Sequence, residues 1–381
     1  MKCYFEQGPI RPPSEAASLL IRVSRNCPWN KCAFCHTYRG TKFELRSVED
    51  VKKDIQNMKE IADEIVRFSW KLGEGGRVNR NVLRAIYNSE DFYHDNIYSV
   101  AAWLYFGGEN VFLQDANSLI LKTPDLVSIL DFLKEKFPDV QRITSYCRSH
   151  TAARKSIAEF EQLKKAGLSR IHIGMESGSD EVLSFIRKGV TSADHIRAGL
   201  NIRGAGIELS EYVIPGLGGE RFTRQHALET ARVINAINPD FIRLRTLHVV
   251  PGTDLDELMK KGEFKPLTDD DILREIKLFV ENLDVRGTYL ASDHILNLLE
   301  ELEGSLPDDR QNMLAAIEKY FKLSAEDRLV FRLGRRSGSL RKLDDLADQA
   351  TYGRLRSVVD HYAARGENLD EDIIKTMNNF I

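Results

Sequence analysis

The sequence predicts an α/β fold: a parallel sheet built from six strand–helix units, followed by a helical C-terminal extension. Three observations predict it. From residue 16 to about 255, short apolar runs alternate with longer amphipathic runs that open on capping residues, the pattern of βα units. Six such apolar runs occur in that stretch. After about residue 265 the strand-like runs stop and helical periodicity takes over.

The first strand covers residues 18–24 and ends on a cysteine-rich run. A helix starts at Ser47-Val48-Glu49-Asp50, which has capping-box character, and Val51 and Ile55 begin its apolar stripe. Residues 63–108 form a long mixed insertion around Gly73-Glu74-Gly75-Gly76, too long for a plain loop and predicted mostly helical. Val111-Phe112-Leu113 is the second strand, and Thr123-Pro124-Asp125 opens its helix with a cap residue and an early proline. Arg142-Ile143-Thr144-Ser145-Tyr146 is the third, with a helix capped by Ser156 and Glu159. Arg170-Ile171-His172-Ile173-Gly174-Met175 is the fourth, and Thr191-Ser192-Ala193-Asp194 caps the next helix. Strand five spans 208–214 and leads into Pro215-Gly216-Leu217-Gly218-Gly219; strand six spans 241–246. These elements suggest an N-terminal arm (1–15), a core (16–264) and an extension (265–381).

The chain has 381 residues, 42% apolar and 29% charged, ample for a large core. A formal charge of −3 gives no electrostatic case for nucleic acid or membrane binding. Residues 2–6 hold no apolar signal region, and no apolar stretch is long enough to span a bilayer. The expected location is cytoplasmic, where thiols stay reduced and an oxygen-sensitive cluster survives.

Three of the five cysteines, Cys27, Cys32 and Cys35, fall in Asn26-Cys27-Pro28-Trp29-Asn30-Lys31-Cys32-Ala33-Phe34-Cys35-His36. Four thiolates would close a shell around zinc or a cubane cluster. Three can hold a [4Fe–4S] cluster and leave one iron open to a non-protein ligand. A structural zinc site needs a fourth ligand, and His36 adjoins Cys35 too closely to chelate comfortably with it. A disulfide framework is at odds with the odd count and the missing secretory signal. Cys3 and Cys147 are isolated and read as small terminal or buried residues.

The run resembles the cluster loop of the radical S-adenosylmethionine (SAM) enzymes, C-x3-C-x2-C with an aromatic residue before the last cysteine. Phe34 holds that aromatic place, while four residues rather than three separate Cys27 from Cys32. The resemblance implies a partial (β/α)6 barrel similar to TIM barrels. It implies two cofactors, a [4Fe–4S] cluster held by Cys27, Cys32 and Cys35, and SAM. One electron from the reduced cluster cleaves the SAM sulfonium to methionine and a 5′-deoxyadenosyl radical, which removes hydrogen from a substrate. The core is similar to the oxygen-independent coproporphyrinogen oxidase and tRNA-modifying branches. No recognisable cobalamin-binding domain precedes the cysteines, which points away from a cobalamin-dependent methyltransferase.

Parallel barrels build their sites at the carboxyl ends of strands. By resemblance, Gln114, Asp115 and Asn117 meet the methionine amino group; Glu176 contacts the ribose; Lys188 pairs with the SAM carboxylate; Ser210 and Glu211 reach the ribose; Gly216 lets backbone approach the nucleoside; Phe34 packs on adenine. On the substrate side Arg148, Arg243, Arg245 and His248 end strands three and six, with at most one of Arg243 and Arg245 expected to face the barrel. Asp293 and His294 begin the extension and are expected near the mouth. The implied partners are a small-molecule or peptide substrate and an external one-electron donor of flavodoxin or ferredoxin type. The absence of a basic stripe argues against a nucleic-acid partner. Two alternatives stay open: an iron–sulfur electron-transfer or binding protein without SAM chemistry, and a zinc-stabilised interaction protein.

Overall fold

Short apolar runs form the strands because most of their side chains are buried, alternately in the first strand and on both faces in the inner strands. Leu19 and Ile21 in β1 (Leu19–Arg22) are fully buried, as are Val111 and Leu113 in a later strand. The computed structural model describes residues 4–89, 92 and 94–377, and Cys3 lies outside them. After β1 come β2 (Ser24–Arg25), β3 (Glu44–Leu45), β4 (Asn110–Gln114), β5 (Arg142–Cys147) and β6 (Leu168–Glu176). Then follow β7 (Glu208–Val213), β8 (Phe241–Leu244), β9 (Thr288–Ala291) and β10 (Gly304–Leu306).

Eight strands form one sheet in the order β1-β4-β5-β6-β7-β8-β9-β10; β1–β4, β4–β5, β5–β6, β7–β8 and β8–β9 pair in parallel and β9–β10 antiparallel. The sheet is mostly parallel and flanked by helices, so the predicted α/β class holds. All six predicted strands are present. The region read as purely helical adds two more: β9 joins β8 in parallel with Arg243 opposite Ala291, and β10 folds back on β9. β9 is four residues long, too short to carry a readable period beside strong helical patterns. β2 and β3 form a small antiparallel ladder, Ser24 opposite Leu45, which ties together the two ends of the cysteine segment.

The capping predictions describe the helices well. Ser47 accepts from Asp50 N at the start of helix Val48–Lys71, and Ser156 with Glu159 makes a reciprocal box on Ile157–Lys165. Thr191 and Asp194 exchange bonds at the head of Ser192–Gly204. Thr123 is not a cap: it is the first residue of helix Thr123–Lys136, and its hydroxyl donates to Glu159. The described residues of the 63–108 stretch continue the first helix to Lys71 and add helices Arg80–Tyr87 and Asp95–Tyr105. Among the described residues no helix is long and apolar enough to cross a membrane.

Two compact units emerge. The first takes the described residues of Met1–Asn30, Thr37–Ile173 and Arg197–Leu209; the second takes Lys31–His36, Gly174–Ile196 and the described part of Ser210–Ile381.

Candidate functional site

In the first unit β1 and β4 run side by side, Arg22 opposite Gln114. Asp115, just past β4, is fully buried. Its carboxylate accepts from Arg22 Nε at 2.8 Å, from Asn26 N at 2.9 Å and from Tyr38 Oη at 2.8 Å. Burial, then the charge and bond of Asp115, push the Tyr38 phenol above its ordinary range. Arg22 also reaches Glu6 at 2.7 Å. Asp115 therefore braces Asn26, the residue before Cys27, in a left-handed backbone conformation (φ +67°).

Its neighbours are equally committed. Gln114 donates to Gly8 O and Ile10 O and accepts from Gly8 N, so it straps the N-terminal arm to the end of β4. Asn117 donates to Thr151 and accepts from Arg148 N. The side chains of the segment read as meeting the methionine amino group are thus engaged with protein. Spacing could not reveal this, because Arg22, Asn26 and Tyr38 reach Asp115 from far away in the chain.

In the second unit residues 31–36 form a turn with Cys35 N donating to Cys32 O at 3.2 Å. The buried Ala33 pins it on both sides: its N–H donates to Ile186 O at 2.8 Å and its carbonyl accepts from Leu255 N at 2.9 Å. Phe34 packs against Val182, Ile186, Ile214 and Leu217 on one side and Leu255 and Phe264 on the other. The Lys188 ammonium sits 5.9 Å from the Phe34 ring centre.

Glu176 closes β6 at φ +66°, a strained conformation for a side-chain-bearing residue and a recurrent mark of functional sites. Its Oε1 accepts from Lys188 Nζ at 2.8 Å, with both side chains 12% exposed. Gly174 makes room for this, since a Cβ there would lie 2.2 Å from Glu176 Oε1. Thus the two residues assigned to the ribose and carboxylate of SAM are paired with each other. An ammonium carries three donors, so the bond to Glu176 does not exhaust it.

Ser210 and Glu211 on β7 are fully buried, and neither the Ser210 hydroxyl nor either Glu211 oxygen has a hydrogen-bond partner among the described residues. Burial first, then the Glu176 charge, push the Glu211 carboxyl well above the ordinary range against the pull of Lys188. Unpartnered buried polar atoms are costly and call for a partner that protein alone does not supply. Gly216 has its N–H committed to Glu275 Oε1 at 2.6 Å, so that group is not open to a nucleoside.

A test follows for Glu211. The folded chain holds the proton more tightly than the unfolded one, so the stability this proton confers is complete below the ordinary glutamate pKa. It is lost as pH rises through the folded value. Glu211→Gln, which cannot ionise, is expected to raise the melting temperature near about pH 8 and change it little near about pH 4. Equal calorimetric shifts at both pH values would refute a buried, proton-holding carboxyl.

Of the substrate-side candidates Arg148 lies in the first unit, its N–H donating to Asn117 at 3.0 Å, and the others lie in this one. Arg243 is buried and pairs with Asp293 at 2.9 Å; Arg245 is exposed. The expectation that strand alternation parts these two arginines needs correcting, since residues two apart share a face. What separates them is that β8 ends at Leu244 and Arg245 stands beyond it. His294 is half-buried, its pKa pushed down to about 4 by burial and by the charges of Arg245 and Arg336. His36, next to Cys35, is likewise lowered by burial and by Arg245. His248 is half-buried close by in sequence.

Cys27, Cys32 and Cys35 are half-buried, uncrosslinked thiols, whereas Cys147 is buried. Among the described residues no three His, Cys, Asp or Glu side chains converge as ligands of a single metal ion. A cubane cluster asks for something different: three thiolates on three separate irons need not meet at one point. The soft, three-thiol donor set fits such a cluster better than it fits zinc.

Comparison with known proteins agrees. A tRNA uridine(34) acetyltransferase of Methanocaldococcus jannaschii is 28% identical over 119 residues, 31% of this chain and 22% of the relative. One of Dehalococcoides mccartyi is 26% identical over 112 residues, 29% of this chain and 24% of the relative. The match thus spans less than a quarter of either relative's length. Their names give no support to the expectation against nucleic acid. Among solved structures, coproporphyrinogen III oxidase of Escherichia coli aligns at a TM-score of 0.44 with 14% identity, over 69% of this chain and 52% of that one. The sequence profile of the Radical SAM superfamily matches residues 21–233, more than half of the 381, and the chain is therefore an enzyme of the radical SAM superfamily, which works with a [4Fe–4S] cluster and S-adenosylmethionine.

Proposed function

We propose that Cys27, Cys32 and Cys35 hold the [4Fe–4S] cluster and that the chain uses it to initiate hydrogen abstraction from a substrate. When bound, the cluster and SAM supply a 5′-deoxyadenosyl radical. The chain's own residues do the rest. Lys188, held by Glu176, presents an ammonium for the SAM carboxylate; Ser210 and Glu211 offer buried polar atoms to the ribose; Phe34 shields the nucleoside side. Asp115 acts as a positioning residue for the segment that enters Cys27, with Gln114 and Asn117 holding its surroundings. Arg245, His248, Asp293 and His294 stand toward substrate. An external one-electron donor feeds the cluster.

The observation that carries this reading is the run of three uncrosslinked thiols within nine residues of a radical SAM chain. Anaerobic reconstitution with iron, sulfide, SAM and reductant tests it, with 5′-deoxyadenosine as the product measured. Iron uptake without any 5′-deoxyadenosine would favour an electron-transfer or binding protein. A second reading, RNA as the substrate, is favoured by the names of the tRNA uridine(34) acetyltransferases. A gel-shift titration with total tRNA at two salt concentrations tests that reading separately.

A further inference from the structure

We propose that Arg245 and His294 form a recognition site for an oxyanionic group of the substrate, a phosphate or a carboxylate. This rests on the reading above, in which the residues beyond β8 and β9 stand toward substrate, and it names the chemistry that they would take.

The argument starts from charge accounting in the second unit. Acids outnumber bases in the chain, 57 to 54, so an arginine has no shortage of partners. Two acids linked to the turn that carries His294 are already paired. Asp293, immediately before His294, is held by Arg243 at 2.9 Å. Asp269 is held by Arg336 at 2.9 Å. Arg245 itself is exposed and makes no side-chain hydrogen bond or ion pair among the described residues. Its backbone is nonetheless fixed, with its N–H donating to Val213 O at 3.0 Å.

His294 is presented with similar care. Arg336, 2% exposed, donates to Ile295 O at 3.2 Å and to Leu296 O at 2.7 Å and so buttresses the turn behind the ring. Leu296 N donates to His294 Nδ1 at 3.2 Å. A neutral imidazole whose Nδ1 accepts carries its proton on Nε2, which makes that nitrogen a donor. Asn297, three residues on, accepts from Thr246 N at 2.9 Å and donates to Leu244 O at 2.8 Å, which ties the turn carrying His294 to the chain on either side of Arg245. The charges that act on the ring, Arg245 and Arg336, are both cations. The result is a guanidinium fork and an imidazole donor on two turns that are tied together. A planar fork matches two oxygens of a phosphate or carboxylate, and such a pair is among the stronger charge-assisted contacts. Arg243 and Arg336, both buried, are neutralised in place instead.

The test uses reconstituted, SAM-loaded protein and calorimetric titration with inorganic phosphate in one arm and acetate in the other. Wild type is expected to bind one anion per chain. Arg245→Gln should weaken that binding about tenfold or more, Arg245→Lys by less because charge survives without the fork, and His294→Ala measurably. Arg341→Gln, which removes an exposed arginine paired with Glu300, should leave it unchanged. Stronger phosphate binding points to a phosphoryl group on the substrate, stronger acetate binding to a carboxylate. Failure of wild type to bind either anion overturns the proposal, as does equal binding by Arg245→Gln. A parallel loss of SAM affinity in Arg245→Gln also overturns it, by assigning the arginine to the cofactor. Release of 5′-deoxyadenosine is scored separately: without it the radical reading fails while the anion data stand.

Discussion

Alanine at any one of Cys27, Cys32 and Cys35 is expected to strip the reconstituted protein of its brown chromophore, its iron and its 5′-deoxyadenosine formation together. The effect is the largest the sequence offers, because a cubane held by three thiolates has no fourth protein ligand to fall back on. Among the described residues the remaining cysteine, Cys147, is buried, and its thiol donates to Arg148 O at 3.4 Å. Cys147→Ala should therefore keep the cluster and serves as the control. Iron and acid-labile sulfide are quantified on anaerobically purified variants. Normal iron content in the triple alanine variant would show that the cluster is held elsewhere.

The second large effect belongs to Lys188. Changing it to methionine removes the cation bonded to Glu176 and leaves that carboxylate, 12% exposed, unpaired, a change that costs about 3–5 kcal/mol when a buried pair is broken. It also removes a charged donor to SAM, worth about 1.5–3 kcal/mol or roughly ten- to a hundredfold in affinity. The two consequences separate in the double variant Glu176→Gln/Lys188→Met, which restores neutrality. Thermal stability should largely recover there while SAM binding stays weak. Recovery of both would reduce Lys188 to a counter-ion for Glu176, and the SAM pose would have to move. The cluster should form in every one of these variants.

The strands that carry strong apolar alternation or dense β-branched runs were legible, and so were the boxes at Ser156/Glu159 and Thr191/Asp194, because each signal is local. What escaped depends on convergence. β9 and β10 are short and gain their identity from an edge already laid down by β8. Asp115 reads from sequence as an available acid at a strand end, yet Asn26 lies 89 residues away along the chain and Tyr38 lies 77 away. Its commitment to them exists only in the fold. The same holds for Arg243 and Arg245, two identical residues two places apart, one neutralised by Asp293 and one not. For Glu176 and Lys188 the sequence offered twelve residues of separation and no sign of their bond to each other.

The strap that Gln114 lays over the N-terminal arm turns Gly8 into a clearance gauge. A single methyl at that position would sit 2.4 Å from Asp115 Oδ1, closer than an unbonded carbon and oxygen approach. The carboxylate would have to yield, and the same carboxylate carries Asn26, whose next neighbour is Cys27. A defect in metal content could thus be inherited from a residue that never meets the metal, far upstream in an unremarkable arm. In a survey of random substitutions, position 8 would score like a ligand.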